Sequence, residues 1–314
     1  MRDLPPPVPT RIPTHAPARP AMNSPVALIS ILALLTLSLA THAAEPVGEP
    51  REYKQVAGRS LKLFVIKPPA WQASDQRPAV VFFHGGGWTG GTPSQFNDQG
   101  EYLATRGLVA IQVQYRLLAG KTSEPPTACV HDAKSAMRWV RAHAAELGID
   151  PQRIASAGGS AGGHLAAFVG LVNGLDDPQD DRAVSPKPNA MILFNPVFDN
   201  GPEGWGHARV GDRFKEFSPA HNINTGAPPA IVFLGSNDKL IPVKTVLDFQ
   251  AAMKKSGARC DALIYEGQAH GFFNRGKSGD KYFSETLLAT DKFLASLGWL
   301  TGPPTLQPPT KSPL

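Results

Sequence analysis

Cysteine is nearly absent from this 314-residue chain, which contains only Cys129 and Cys260. That count excludes a scaffold built on disulfides and any cysteine-rich zinc site, and leaves at most one bridge in an exported protein. The nine histidines include no pair at metal-ligand spacing on one helix, so no metal is expected. No cluster of lysine and arginine interleaved with aromatic residues occurs, and a nucleic-acid partner is therefore not expected. No internal repeat is found. The apolar run near the N-terminus, residues 26–39, has 14 residues, short of the about 20 that a bilayer-spanning helix needs.

That run reads as the core of a secretory signal. Arg2, Arg11 and Arg19 lie upstream, and Thr41, His42 and Ala43 place small residues before a cleavage ahead of Ala44. The proline-rich leader over 5–20 is unusual in such a signal, and a translation start at Met22 would omit it. Residues 1–43 are thus expected to be leader and signal peptide, and the mature protein to be secreted or periplasmic without stable membrane association. Their removal takes away three arginines and one aspartate, leaving 28 basic and 25 acidic residues in a nearly balanced chain. Residues 44–300 are long enough for one large domain. Residues 301–314 carry five prolines and read as a disordered tail.

The mature part alternates between strand and helix patterns. Strands are expected over 60–66, 79–83, 109–115, 190–194, 230–235 and 261–265, and helices over 242–255 and 281–297. A further helix carries Ala133, Ala136, Met137, Val140, Ala144 and Leu147 on one apolar stripe. Thr127 can cap it after Pro125 and Pro126, and Gly148 closes it. Ala79-Val80-Val81-Phe82-Phe83 is continuously apolar, as a strand buried on both faces must be. The expected fold is therefore α/β, with a doubly wound, mostly parallel sheet.

In such sheets the functional groups gather at the carboxyl ends of the strands. Gly158-Gly159-Ser160-Ala161-Gly162-Gly163 lies between an apolar strand and an apolar helix. The pattern Gly-x-Ser-x-Gly in that setting is a nucleophile elbow, in which a sharp turn exposes the serine hydroxyl. His84-Gly85-Gly86-Gly87-Trp88 follows another strand. The N–H groups of Gly86 and Gly87, with that of Ala161, are candidates for holding an oxyanion. A serine hydroxyl needs a base. His270 follows the last strand and Asp238 the one before it, completing the chain order Ser, Asp, His. Asp199, after the strand 190–194, is the alternative acid. Trp88 and Trp205 are candidate substrate contacts, Trp88 bounding an acyl pocket and Trp205 stacking on a ring; both equally suit the core.

Together with Tyr115-Arg116-Leu117 and His270-Gly271-Phe272, these motifs resemble the hormone-sensitive-lipase-like branch of α/β-hydrolases, over residues 50–298. The stretch from Asp132 to Arg141 is similar to bacterial feruloyl and acetyl esterases acting on plant polysaccharide. Many members of the branch carry an aspartate immediately before the nucleophile, where this chain has Gly159. The resemblance implies a structural role for His164, and room for a helical lid is not evident. It further implies a secreted serine carboxylesterase for short acyl groups, acetyl or feruloyl, that works without a cofactor on a small-molecule or polysaccharide ester. The alternatives are a peptidase of the prolyl-oligopeptidase type, a lipase for longer chains, and a non-catalytic binding protein on the same fold.

Overall fold

The computed structural model describes residues 44–120 and 123–306. The expected signal peptide and residues 307–314 lie outside the described residues. In chain order the elements are β1 (Glu49–Val56), β2 (Arg59–Ile66), β3 (Arg77–Phe83), α1 (Asn97–Thr105), β4 (Val109–Val113), α2 (Thr127–Ala142), β5 (Ile149–Gly159) and α3 (Ala161–Leu171). They continue with β6 (Ala190–Phe194), the short helices α4 (His207–Val210) and α5 (Phe214–Phe217), then β7 (Ala230–Gly235), α6 (Val243–Lys255), β8 (Cys260–Tyr265) and α7 (Lys281–Ser296).

The eight strands form one sheet in the order β1-β2-β4-β3-β5-β6-β7-β8. From β4 to β8 neighbouring strands run parallel, while β1 with β2 and β2 with β4 are antiparallel. This is the α/β-hydrolase arrangement. Every residue of β4, β6 and β7 is buried, because helices cover both faces of the sheet. α2, α3 and α6 pack on one face, and α1 and α7 on the other. α3 is buried along its whole length, so the helix behind the serine carries no polar face.

Three features, among others, differ from the sequence reading at an element end or have no counterpart in it. β1 has no counterpart there, because Glu-Pro-Arg-Glu-Tyr-Lys-Gln-Val is a polar edge strand with one buried residue. It joins β2 through Ala57 and Gly58, both at positive φ, in a tight hairpin turn. α2 ends at Ala142; the stripe residues Ala144 and Leu147 stay buried in turns beyond it. β4 ends at Val113, and Tyr115 continues into the loop. Cys129 and Cys260 are both free, Cys129 on α2 and Cys260 at the outer strand β8. Residues 301–306 run along the domain, where Arg106 Nη2 donates to the carbonyls of Thr301 and Gly302.

A buried ionic network ties α2 to β1 and to the connection after α3. Asp132 is fully buried and accepts from Arg116 N, Nε and Nη2 at 2.9, 2.7 and 2.7 Å and from Lys54 Nζ at 2.9 Å. Lys54 also donates to Asp177 at 2.7 Å. Removing one partner of such a set leaves the others charged in a poorly solvated place, which costs about 3–5 kcal/mol. Asp132→Ala is expected to lose at least about 3 kcal/mol, Lys54 keeping Asp177. Urea unfolding followed by tryptophan fluorescence checks this, and a loss below about 1 kcal/mol would contradict it.

Candidate active site

The site begins with a steric demand. Between the end of β5 and the start of α3, Ser160 has φ 55° and ψ −119°, a strained conformation for a residue with a side chain. A Cβ on Gly158 would collide with the Gly162 carbonyl, and one on Gly162 with the Phe83 carbonyl. Only glycine lets β5, α3 and the end of β3 meet this closely. At Gly159 a Cβ would stand 2.6 Å from Phe273 Cζ. Phe273 stacks on Phe194 with centroids 4.7 Å apart, so an aromatic ring occupies the space that an aspartate before the nucleophile would require.

His270, in the loop after β8, and Asp238, in the loop after β7, meet Ser160 there. His270 Nε2 lies 2.9 Å from Ser160 Oγ, and Nδ1 lies 2.7 Å from Asp238 Oδ2. A carboxylate only accepts, so Nδ1 carries the proton and Nε2 offers its lone pair to the serine hydroxyl. The Asp238 side chain has no exposed surface, and its Oδ1 accepts from the N–H groups of Leu240 and Ile241 at 2.8 and 3.0 Å. Burial pushes this carboxyl up, but the hydrogen bonds from His270, Ile241 and Leu240 outweigh it, so the carboxyl lies below the usual value. Asp199 is elsewhere: its Oδ1 accepts from Gly201 N and lies 3.7 Å from His221 Nδ1.

The glycine loop after β3 packs against the elbow; a Cβ on Gly85 would be 3.4 Å from Ser160 Cβ. Gly86 and Gly87 both have positive φ. The Gly86 carbonyl turns back to accept from Thr89 N and Gly90 N at 3.1 and 3.0 Å. The N–H groups of Gly86 and Gly87 have no hydrogen-bond partner among the described residues, and that of Ala161 belongs to the first turn of α3, which has no acceptor within the helix. His84 is a strut beneath this loop. Its Nδ1 donates to Gly85 O at 2.8 Å, its ring stacks on Tyr115 at 4.3 Å, and the Tyr115 hydroxyl donates to His84 O at 2.7 Å. Burial brings the His84 imidazole down to about 4, which keeps it neutral. His164 on α3 is held likewise: Nε2 donates to Phe217 O at 2.8 Å, and burial lowers it to about 4.

Trp88 has no exposed surface. Its ring sits edge-on to His164 and tilted under Trp205, with centroids 5.0 and 5.2 Å apart. It therefore reaches the site through Trp205, and direct contact with a substrate, as expected from its position after the glycines, is prevented by burial. Trp205 is half-buried, and its Cη2 lies 3.5 Å from where a Gly87 Cβ would stand. It also lines a cavity of about 410 Å³ together with Phe198, Asp199, His221 and Ile241. Ser160 and His270 are not in that lining; Trp205 borders both the cavity and the glycine loop. No group of three or more histidine, cysteine or acidic side chains suited to a metal occurs among the described residues.

Two residues of the site are invisible to motif reading. Gln95, from a 3₁₀ turn before α1, accepts from Gly85 N at 2.6 Å and donates to Asn274 Oδ1 at 3.0 Å. It links the glycine loop to the loop of His270. Asn195, just after β6, directs its amide N–H at His270 Nε2, 3.4 Å away, and its side-chain oxygen accepts from Gly271 N at 2.9 Å. Both act through tertiary pairing and carry no local signal in the sequence.

Comparison with known proteins agrees with this architecture. The BD-FAE family model matches residues 66–200, and that of the dienelactone hydrolase family residues 205–300. Thermogutta terrifontis esterase 2, solved after phosphorylation by paraoxon, is 46% identical, with 81% of this chain and 95% of that one covered at a TM-score of 0.76. The probable carboxylic ester hydrolase LipM of Mycobacterium tuberculosis is 26% identical over 76% of this chain and 59% of that protein. An acetylxylan esterase of Xylanibacter ruminicola is 28% identical over 62% of this chain and 41% of that protein. This chain spans about half the length of the curated relatives it matches. With near-complete coverage of an esterase at almost half identity and the sheet order above, the chain belongs to the hormone-sensitive-lipase-like esterases of the α/β-hydrolase fold.

The Phe273 contact gives a test of the elbow. Gly159→Asp must displace a ring stacked in the core, an overpacking worth about 1–3 kcal/mol. The double variant Gly159→Asp/Phe273→Ala is expected to lose less stability than the sum of its two single changes, since the ring that clashes is gone. Thermal unfolding of the four proteins measures the coupling; additivity would refute the steric account.

Proposed function

We propose that this protein hydrolyses carboxylic esters through an acyl-enzyme on Ser160. The observation that carries the reading is the unbroken hydrogen-bonded line from Ser160 Oγ to His270 Nε2 and from His270 Nδ1 to Asp238, at 2.9 and 2.7 Å. Ser160 Oγ attacks the acyl carbon while its proton passes to Nε2. The carbonyl oxygen, now negative, takes hydrogen bonds from the N–H groups of Gly86, Gly87 and Ala161. Collapse breaks the bond to the alcohol oxygen, which leaves with the proton from Nε2. Water then attacks the acyl-enzyme, giving a proton to Nε2, and Ser160 recovers one as the acid departs. Asp238 holds the ring in the required tautomer and balances the imidazolium charge. The sequence needs neither metal nor organic cofactor.

On the substrate side the reading is a short acyl group, acetyl or feruloyl, on a plant polysaccharide or a small alcohol. Trp205 supplies a partly open aromatic face beside Gly87, suited to stacking on a sugar or phenolic ring. The 46%-identical Thermogutta terrifontis esterase 2 has been solved with propionate bound, and one matched relative is an acetylxylan esterase. The pattern over residues 1–43 adds secretion or a periplasmic location to the proposal.

Three measurements decide it. Ser160→Ala is expected to abolish ester turnover, by a factor on the order of a million as for loss of the nucleophile in a serine protease triad, with the thermal midpoint retained. Asp238→Asn should lower kcat by about 10⁴, whereas Asp199→Asn should leave it near that of the wild type; the reverse ranking would transfer the acid role. For the acyl group, kcat/KM for nitrophenyl acetate, butyrate, octanoate and palmitate is expected to peak at four carbons or fewer, with acetate released from acetylated xylan. A peak at eight carbons or more with no acetate released would favour a lipase.

A further inference from the structure

Asn195 is the first residue beyond β6 and is only 1% exposed. Its φ is +33°, in the left-handed region that glycine enters freely and that asparagine tolerates better than most side chains. Glycine would relieve that backbone, so the side chain that is present must be judged by its contacts. Its backbone N–H donates to Phe233 O at 2.7 Å, which continues the ladder from β6 to β7 by one residue. The side-chain oxygen accepts from Gly271 N–H at 2.9 Å. A backbone N–H can only donate, so the atom facing it is the oxygen, and the orientation of the amide is settled by that bond. The amide nitrogen therefore points the other way, at 3.4 Å from His270 Nε2.

Asp238 at Nδ1 fixes the tautomer, so Nε2 presents a lone pair to two donors, the Ser160 hydroxyl and the Asn195 amide. Among the described residues the side-chain partners of the ring are Asp238 from the loop after β7, Ser160 at the head of α3 and Asn195 after β6, and only Asp238 is charged. We propose that Asn195 is a positioning residue for the general base: its oxygen clamps the loop of His270 through Gly271, and its N–H, offered to the Nε2 lone pair, favours the neutral imidazole that can accept the serine proton. The proposal rests on the reading of His270 as base given above.

A donor aimed at a lone pair stabilises the unprotonated ring, and its removal shifts the balance toward imidazolium. The acid limb of the kcat/KM profile is then displaced to higher pH. Asn195→Gly keeps the backbone conformation and removes both contacts. It is expected to retain the thermal midpoint, to lower kcat at least tenfold with KM within about threefold, and to move the acid limb up by a few tenths of a pH unit. Asn195→Asp keeps an acceptor for Gly271 but sets a carboxylate beside Nε2, and should move the same limb up by about one unit or more. The order wild type, Gly, Asp along the pH axis is the signature, because a merely structural residue would change amplitude and midpoint without moving the limb.

All three proteins are first titrated with paraoxon. One equivalent bound at Ser160 in the wild type establishes the underlying mechanism, and its failure would sink that mechanism and this proposal's basis in a visibly different way. With Ser160 labelled in the wild type, coincident acid limbs in the wild type and Asn195→Gly overturn the role of Asn195. So does an Asn195→Gly kcat within twofold of the wild type. Should buried aspartate prevent Asn195→Asp from folding, Asn195→Gly decides alone.

Discussion

The structure depends on one close approach, the crossing of β5, α3 and the end of β3 at Ser160. No side chain fits at Gly158 or Gly162, where a Cβ would run into the Gly162 and Phe83 carbonyls. The serine is left at a positive φ that the surrounding strands must hold by packing. They are equipped for it, since β3, β5 and β6 are neighbours in the sheet and α3 is buried from end to end. From that crossing the rest follows geometrically. The loop after β3 is carried against Ser160, the loop after β6 lies alongside, and the loops after β7 and β8 bring Asp238 and His270 from the next two strands. A site assembled from five strand ends is only as accurate as the sheet that spaces them.

Much of this was legible in the sequence, and the limits have physical causes. Strands β3, β4, β6 and β7 announced themselves because burial on both faces demands continuous apolar residues. β1 did not, being a polar edge whose hydrogen bonds to β2 leave little trace in residue type. The glycines of the elbow and of the loop after β3 were readable because positive φ and close approach restrict the choice to one residue. Asp238 and Asp199 each follow a strand, and only tertiary pairing with His270 or His221 separates them. Gln95 and Asn195 had no local pattern at all, since an amide that bridges two loops can occur at any polar position. Trp88 was legible as an aromatic next to the glycines, but not as a fully buried support for Trp205.

Three histidines lie around the elbow, and their surroundings divide the labour. His84 and His164 are buried, and burial holds both near 4. Each donates one ring N–H to a backbone carbonyl, Gly85 and Phe217 respectively, and can serve as a rigid uncharged spacer. His270 differs in two respects that matter when a proton arrives. Its side chain keeps 23% of its surface open, and its Nδ1–H meets a carboxylate whose other oxygen is already saturated by two backbone N–H groups. Charge formed on this ring has a counter-ion and water, whereas charge on either neighbour would have neither. Exposure and a fixed carboxylate thus set apart the one imidazole whose free nitrogen faces Ser160. The apolar packing that supports the glycine loop from beneath simultaneously denies that proton any competing base.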